Sequence, residues 1–181
     1  MQDIYGEAAP DAKGTAAPAP EPAVLAWQAV RELVMPEPVV RTNPDHARAQ
    51  LVRVPTWMWL EQGVWRPVSK TVEVPGVSVT ATASPVSVTW DMGDGATVTC
   101  RGPGTAYSAD VSATAGSPDC GQMYRRSSAG QPGDAYRLTA SIRWDVAWRG
   151  GGQQGLFPGL QTRTTVPVRV AEAQALVTSS S

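Results

Sequence analysis

Histidine, phenylalanine and lysine are almost missing from this 181-residue chain: His46, Phe157 and the pair Lys13 and Lys70 are all it holds. One histidine excludes every mechanism that needs two. A triad built on His46 would also lack the G-x-S-x-G elbow that presents a nucleophilic serine. Lying in Asn43-Pro44-Asp45-His46, it is expected as an exposed loop residue. The other basic residues are 13 scattered arginines, and the net charge is −1. Without a basic block there is nothing to neutralise a run of phosphates, so nucleic acid is not an expected partner. Two cysteines with no histidine nearby cannot supply the four ligands of a zinc site. No stretch approaches the roughly 18 apolar residues of a membrane-spanning helix. Gly150-Gly151-Gly152-Gln153-Gln154-Gly155 is glycine-rich but has neither the Lys nor the Ser/Thr of a phosphate loop, so no nucleotide site is expected. Asp91 and Asp94 stand outside any EF-hand spacing, and turn capping is their expected role. No catalytic residue, metal or cofactor is expected.

What the chain has in quantity is turn formers, 17 glycines and 16 prolines. That abundance fits many short turns better than a helical bundle. Residues 1–22, with Ala8-Ala9-Pro10 and Ala16-Ala17-Pro18-Ala19-Pro20, read as a disordered or polyproline tether, or as an end without a role. Residues 23–76 read as a short helix plus additional strands. In the helix Val24, Trp27, Val30 and Val34 recur at near-helical spacing, Pro22 suits its start, and Pro36 and Pro38 enforce its stop. A strand is expected over Leu51–Leu60, interrupted at Pro55. The main β region is expected over 77–170 and a frayed tail over 171–181. Val68, Val72 and Val74, then Val77, Val79, Ala81 and Ala83, then Val86, Val88 and Trp90 alternate with polar residues. The longest alternation runs Tyr136, Leu138, Ala140, Ile142, Trp144, Val146, Trp148, as a strand with one dry and one wet face requires. Its length suggests that one end runs beyond the core. Leu160–Val170 supplies a last strand, for seven or so in all and a β-sandwich fold class.

Cys100 and Cys120 flank a turn-rich stretch and are read either as a disulfide closing that loop or as two unrelated thiols. An unstrained closure would stabilise the fold by roughly 3 kcal/mol and belongs outside a reducing cytosol. Met1-Gln2-Asp3-Ile4-Tyr5-Gly6 has neither the basic start nor the apolar run of a signal peptide. The two cysteines and the tether favour the exported portion of a longer product, extracellular or at the cell surface. Membrane attachment would then come only through a segment absent from this chain. Abundant Ala, Gly, Pro and Arg with scarce Lys is a composition expected of a GC-rich bacterial genome.

Trp90-Asp91-Met92-Gly93-Asp94-Gly95 lies between two alternating segments, with Asp94-Gly95 a strong turn signal. The block resembles the W-D-F-G-D-G hairpin of the polycystic-kidney-disease (PKD) domain family. Members also carry an H-x-Y element and a G-x-Y-x-V-x-L-x-V strand. Gln122-Met123-Tyr124 stands in the first place, and the run from Asp134 through Tyr136 to Ile142 in the second. The match covers about residues 77–146. Met92 replaces the usual Phe and Gln122 the usual His, so no role of that histidine carries over. The resemblance implies an immunoglobulin-like β-sandwich, to which the short helix read from the spacing would be added at the N-terminal side. It further implies an extracellular spacer or adhesion module, with Trp90, Asp91, Gly93, Asp94, Gly95, Tyr124 and Tyr136 as its structural hairpin motif. Residues 23–76 are not explained by it. They either extend the sandwich or form a small docking subdomain.

Seven tryptophans remain to be placed. Trp90 and Trp144 are expected in the core, where indole rings make up for missing Phe. Trp57, Trp59, Trp65 and Trp148 are candidates for flat platforms on which sugar rings stack. Two functional expectations follow. One is a non-catalytic structural or protein-interaction module whose partner is another surface protein. The other is a module that binds cell-wall or environmental polysaccharide through those tryptophans.

Overall fold

The computed structural model describes residues 19–172. Most of the expected tether and tail lies outside these residues. Where the two expectations are described, Pro22 opens a helix and Ala171 belongs to a strand.

The helix, α1, spans Pro22–Glu32 and ends before Pro36 and Pro38, as the spacing predicts. It carries two apolar faces, and one of them is buried. Leu25, Ala26 and Ala29, with Leu33 just beyond, turn inward, while Trp27 is 57% and Val34 83% exposed and Val24 is exposed too. Both sets recur at helical spacing, so periodicity alone does not choose between them. Side-chain size does. The helix lies on two strands, β4 (Val68–Val74) and β5 (Val77–Asp91), where Ala81 and Ala83 are fully buried. Ala26 and Ala29 allow a close approach there that Val24 and Trp27 would prevent.

The fold is all-β apart from this helix and two single 3-10 turns. Five strands form the larger sheet: β4, β5, β6 (Thr97–Cys100), β8 (Tyr136–Gly150) and β9 (Gln153–Val168), in the order β4-β5-β8-β9 with β6 pairing β5. β1 (Val40–Asn43), β3 (Pro55–Leu60) and β7 (Gly121–Met123) form a second antiparallel sheet, ordered β1-β3-β7. β2 (Gln50–Leu51) and β10 (Val170–Ala171) make a short parallel pair. One core joins inward residues of both larger sheets and α1. Residues 23–76 contribute to it through the helix, β1, β3 and β4, and β4 pairs with β5 along its whole length across the turn at Gly76.

All seven same-parity residues of β8 are buried. No end of the strand overhangs. At the Gly150 end Trp148 belongs to the core, and its indole crosses Gly155 on β9, where a Cβ would come within 2.5 Å of Nε1. Two prolines lie within the strands without breaking them. Pro85 does not end a strand; β5 runs on through a register shift between Pro85 and Ser87. Pro55 opens β3 rather than interrupting it, which suits a residue with no N–H for the ladder. On the outward face of the larger sheet, hydroxyls pair across strands: Ser69 with Thr82 and Thr71 with Thr80 at 2.8 Å, Thr89 with Thr99 at 3.1 Å, and Thr139 with Thr165 at 2.8 Å. Such pairs are the sheet counterpart of helix-face pairing and add to its stability.

Candidate functional site

Trp90 sits on the inward parity of β5 and is fully buried, with no protein acceptor for its indole N–H. The chain then reverses into β6. Asp91 Oδ1 accepts the Gly93 N–H at 2.9 Å, and Asp94 Oδ1 accepts the Ala96 N–H at 2.9 Å. Both carboxylates therefore cap the turn, the role their spacing predicts. Gly93 has φ 76°, and a Cβ there would lie 2.6 Å from the Arg137 nitrogen, so the position requires glycine both for its backbone angle and for the approach of β8. Met92 is buried, and its carbonyl accepts the Tyr124 hydroxyl at 3.2 Å.

Tyr124 and Tyr136 stack with ring centroids 5.3 Å apart and planes 1° from parallel. Tyr136 donates to the Ser127 carbonyl at 2.9 Å. Burial pushes the Tyr124 phenol above its ordinary pKa, helped by the negative charge of Asp94. The loop between them is held by Ser128, which is buried. Its hydroxyl donates to the Asp134 carbonyl at 2.6 Å and accepts the Val170 N–H at 2.9 Å, while its own N–H donates to the Val170 carbonyl at 2.9 Å.

Cys100 and Cys120 form a disulfide with Cα atoms 5.8 Å apart. It ties β6 of the larger sheet to the entry of β7, and both sulfurs are buried. The intervening loop lies over β3. The Leu60 N–H donates to the Pro103 carbonyl at 2.7 Å, and the Trp57 indole to that of Ala115 at 2.7 Å. Partial burial works against the Asp119 carboxylate. Hydrogen bonds from Thr105, Ser117 and Cys120 outweigh it and hold its pKa below the usual range.

This loop decides the fate of the expected platforms. Trp57 is only 4% exposed, roofed by Tyr107 in an edge-on contact at 5.3 Å, and Trp148 is 9% exposed at the far end of β8. Neither ring offers a face to solvent, which corrects the expectation for both. Trp59 and Trp65 are half-buried, and Trp59 lines a shallow cavity of about 490 Å³ beside the Arg41–Glu61 ion pair. Trp144 is in the core as expected, donating to Thr162 at 3.0 Å. The exposed tryptophan is Trp27, on the apolar face that the helical spacing marks. It contacts Phe157 with centroids 4.3 Å apart and planes at 51°. His46 is half-buried rather than exposed, with Nδ1 enclosed and 3.8 Å from Asp45 Oδ1.

One feature at this end of the molecule escaped the sequence reading. A cleft of about 530 Å³ opens between the β5–β6 turn and the loop 125–131, floored by Tyr136. A second, of about 410 Å³, continues it past Gly93, Gln131 and Tyr136 toward Asp91 and Arg137. Only the adjacent Arg125-Arg126 hinted at it. Among the described residues, no group of three His, Cys, Asp or Glu side chains is placed to hold a metal ion, and no helix is long and apolar enough to cross a membrane. Comparison with protein-family models, curated proteins and solved structures finds no match to this chain.

Proposed function

We propose that the chain is a non-catalytic interaction module of the cell surface or extracellular space, built as a PKD-like β-sandwich. The resemblance rests on residues whose contacts suit a structural hairpin: Trp90 in the core, Asp91 and Asp94 capping the turn, and Tyr124 tied to Met92. The disulfide favours an oxidising compartment. The observation that carries the docking role is the outer side of α1. Val24 and Trp27 are exposed there and Val34 just past its end, with Trp27 resting on Phe157 of β9. Exposed aromatic and aliphatic side chains of this kind are what interfaces recruit as anchors.

Site-specific photocrosslinking tests it. A crosslinker at position 27, with the protein presented to the surface of its source cells, should give a discrete adduct that Val34→Asp abolishes. A crosslinker at position 110, exposed in the loop that lies over β3, should give none. Adducts of equal yield at both positions would refute docking through α1.

Carbohydrate recognition is the second reading, and Trp27 beside Phe157, with half-exposed Trp59 and Trp65, is the observation in its favour. Sedimentation with insoluble polysaccharides, accompanied by tryptophan fluorescence, separates the two. Saturable binding lost in Trp27→Ala or Trp59→Ala would replace a protein partner with a glycan.

A further inference from the structure

The two adjoining clefts have a polar make-up that neither reading above uses. Asp91 and Asp94 stand along the hairpin side, Arg125 and Arg126 along the facing loop, and Arg137 at the far mouth, with Gln131 shared between the two volumes. None of the three guanidiniums is in an ion pair among the described residues. Facing carboxylates would be expected to capture them. Instead each carboxylate has its Oδ1 committed to a backbone N–H of the turn. That leaves one acceptor oxygen per Asp along the hairpin, two forked donors on the facing loop and a third at the far mouth.

The walls are also held in place. Gly93 is pressed against Arg137, Tyr124 fastens the hairpin through the Met92 carbonyl, Tyr136 fastens Ser127, and buried Ser128 locks the loop to Val170. A rigid groove loses little conformational entropy on filling. The two volumes fall within the ~300–1,000 Å³ usual for ligand clefts, and their adjoining each other through Gly93, Gln131 and Tyr136 suits a chain segment better than a single small molecule.

We propose that this groove binds an acidic glycan segment. The arginines would meet its anionic groups, in forked pairs where geometry allows, while the free carboxylate oxygens of Asp91 and Asp94 and the amide of Gln131 would accept and share its ring hydroxyls. Carboxylate and phosphate are both matched by this chemistry, so a uronate polymer and a glycosyl or polyol phosphate polymer are the two sources. The site uses none of the aromatic rings considered above, so it stands apart from docking through α1.

The test is calorimetric titration of the whole chain, at low salt, with three probes: a defined oligogalacturonate, a short poly(glycerol phosphate) and neutral cellohexaose. Binding is expected for at least one acidic probe and not for cellohexaose, and it should weaken as salt is raised. Which acidic probe binds identifies the source. Arg125→Ala/Arg126→Ala should lose at least tenfold in affinity, while Arg149→Ala, at the other end of β8, should bind like the parent. The substituted side chains are exposed, and an unchanged melting temperature verifies folding. No binding of either acidic probe, equal binding of cellohexaose, or equal losses in the double variant and Arg149→Ala would each overturn the proposal.

Discussion

Opening the Cys100–Cys120 disulfide is expected to cost the protein about 3 kcal/mol, through the unfolded chain more than through the folded one. The bond closes a separation of 20 residues. For a loop of that size, the entropy removed from the denatured ensemble corresponds to about 3.3 kcal/mol at 25 °C. The folded loop has other fastenings: Leu60 to Pro103, Met58 to Cys120, Trp57 to Ala115, and the Asp119 bonds to Thr105. Reduction should therefore leave the native arrangement largely intact while lowering its stability. Urea unfolding of oxidised and reduced protein should give midpoints differing by about 1–2 M, taking a slope of roughly 2 kcal/mol/M, with the reduced protein the steeper because its unfolded chain is less compact. The melting temperature should fall by roughly 10 °C. Trp57 should stay buried until the global transition, visible as unchanged native fluorescence. A stability difference under about 1 kcal/mol would refute the loop-closure account. A reduced protein whose loop opens before the rest unfolds would instead show that the disulfide, not the hydrogen bonds, holds the loop on β3.

Three further perturbations address the hairpin end and the helix end. Tyr124→Phe removes the hydrogen bond to Met92 and should cost about 1 kcal/mol at pH 8 by urea unfolding. The folded state holds the phenol proton more tightly than the unfolded state does. Parent stability should thus be level below pH ~10 and fall as pH rises past it. The variant should lose that part of the alkaline decline; an identical decline in both would show that Tyr124 does not cause it. Ser128→Ala strands the buried Val170 N–H and removes the donor to Asp134, an expected loss of about 2–4 kcal/mol, with earlier hydrogen exchange at Val170 as the local signature. Gly155→Ala forces the Trp148 indole aside and should destabilise by about 1–3 kcal/mol with a shift in tryptophan emission, whereas a neutral result would mean the ring moves freely.

What local order dictates was legible in the chain. The alternation from Tyr136 to Trp148 marks one strand face, because a pleated backbone sends successive side chains to opposite sides and only one side of β8 is dry. Prolines at both ends delimit α1, and Asp91 and Asp94 cap their own turn within two residues, a contact that needs no distant partner. Two cysteines at a turn-rich loop became a disulfide. Exposure is another matter, since it depends on what arrives from far along the chain. Trp57 is roofed by Tyr107 and Ala115, some fifty residues on. Of the two apolar stripes on α1, the one that faces inward was chosen by the alanines of β5, which admit Ala26 and Ala29 and leave Trp27 in solvent. The arginine-lined groove likewise exists only once the hairpin, the loop 125–131 and β8 converge. Spacing along a chain determines periodicity, turns and caps. Which surface is covered is set by the partner that packs against it, and only the tertiary fold supplies that partner.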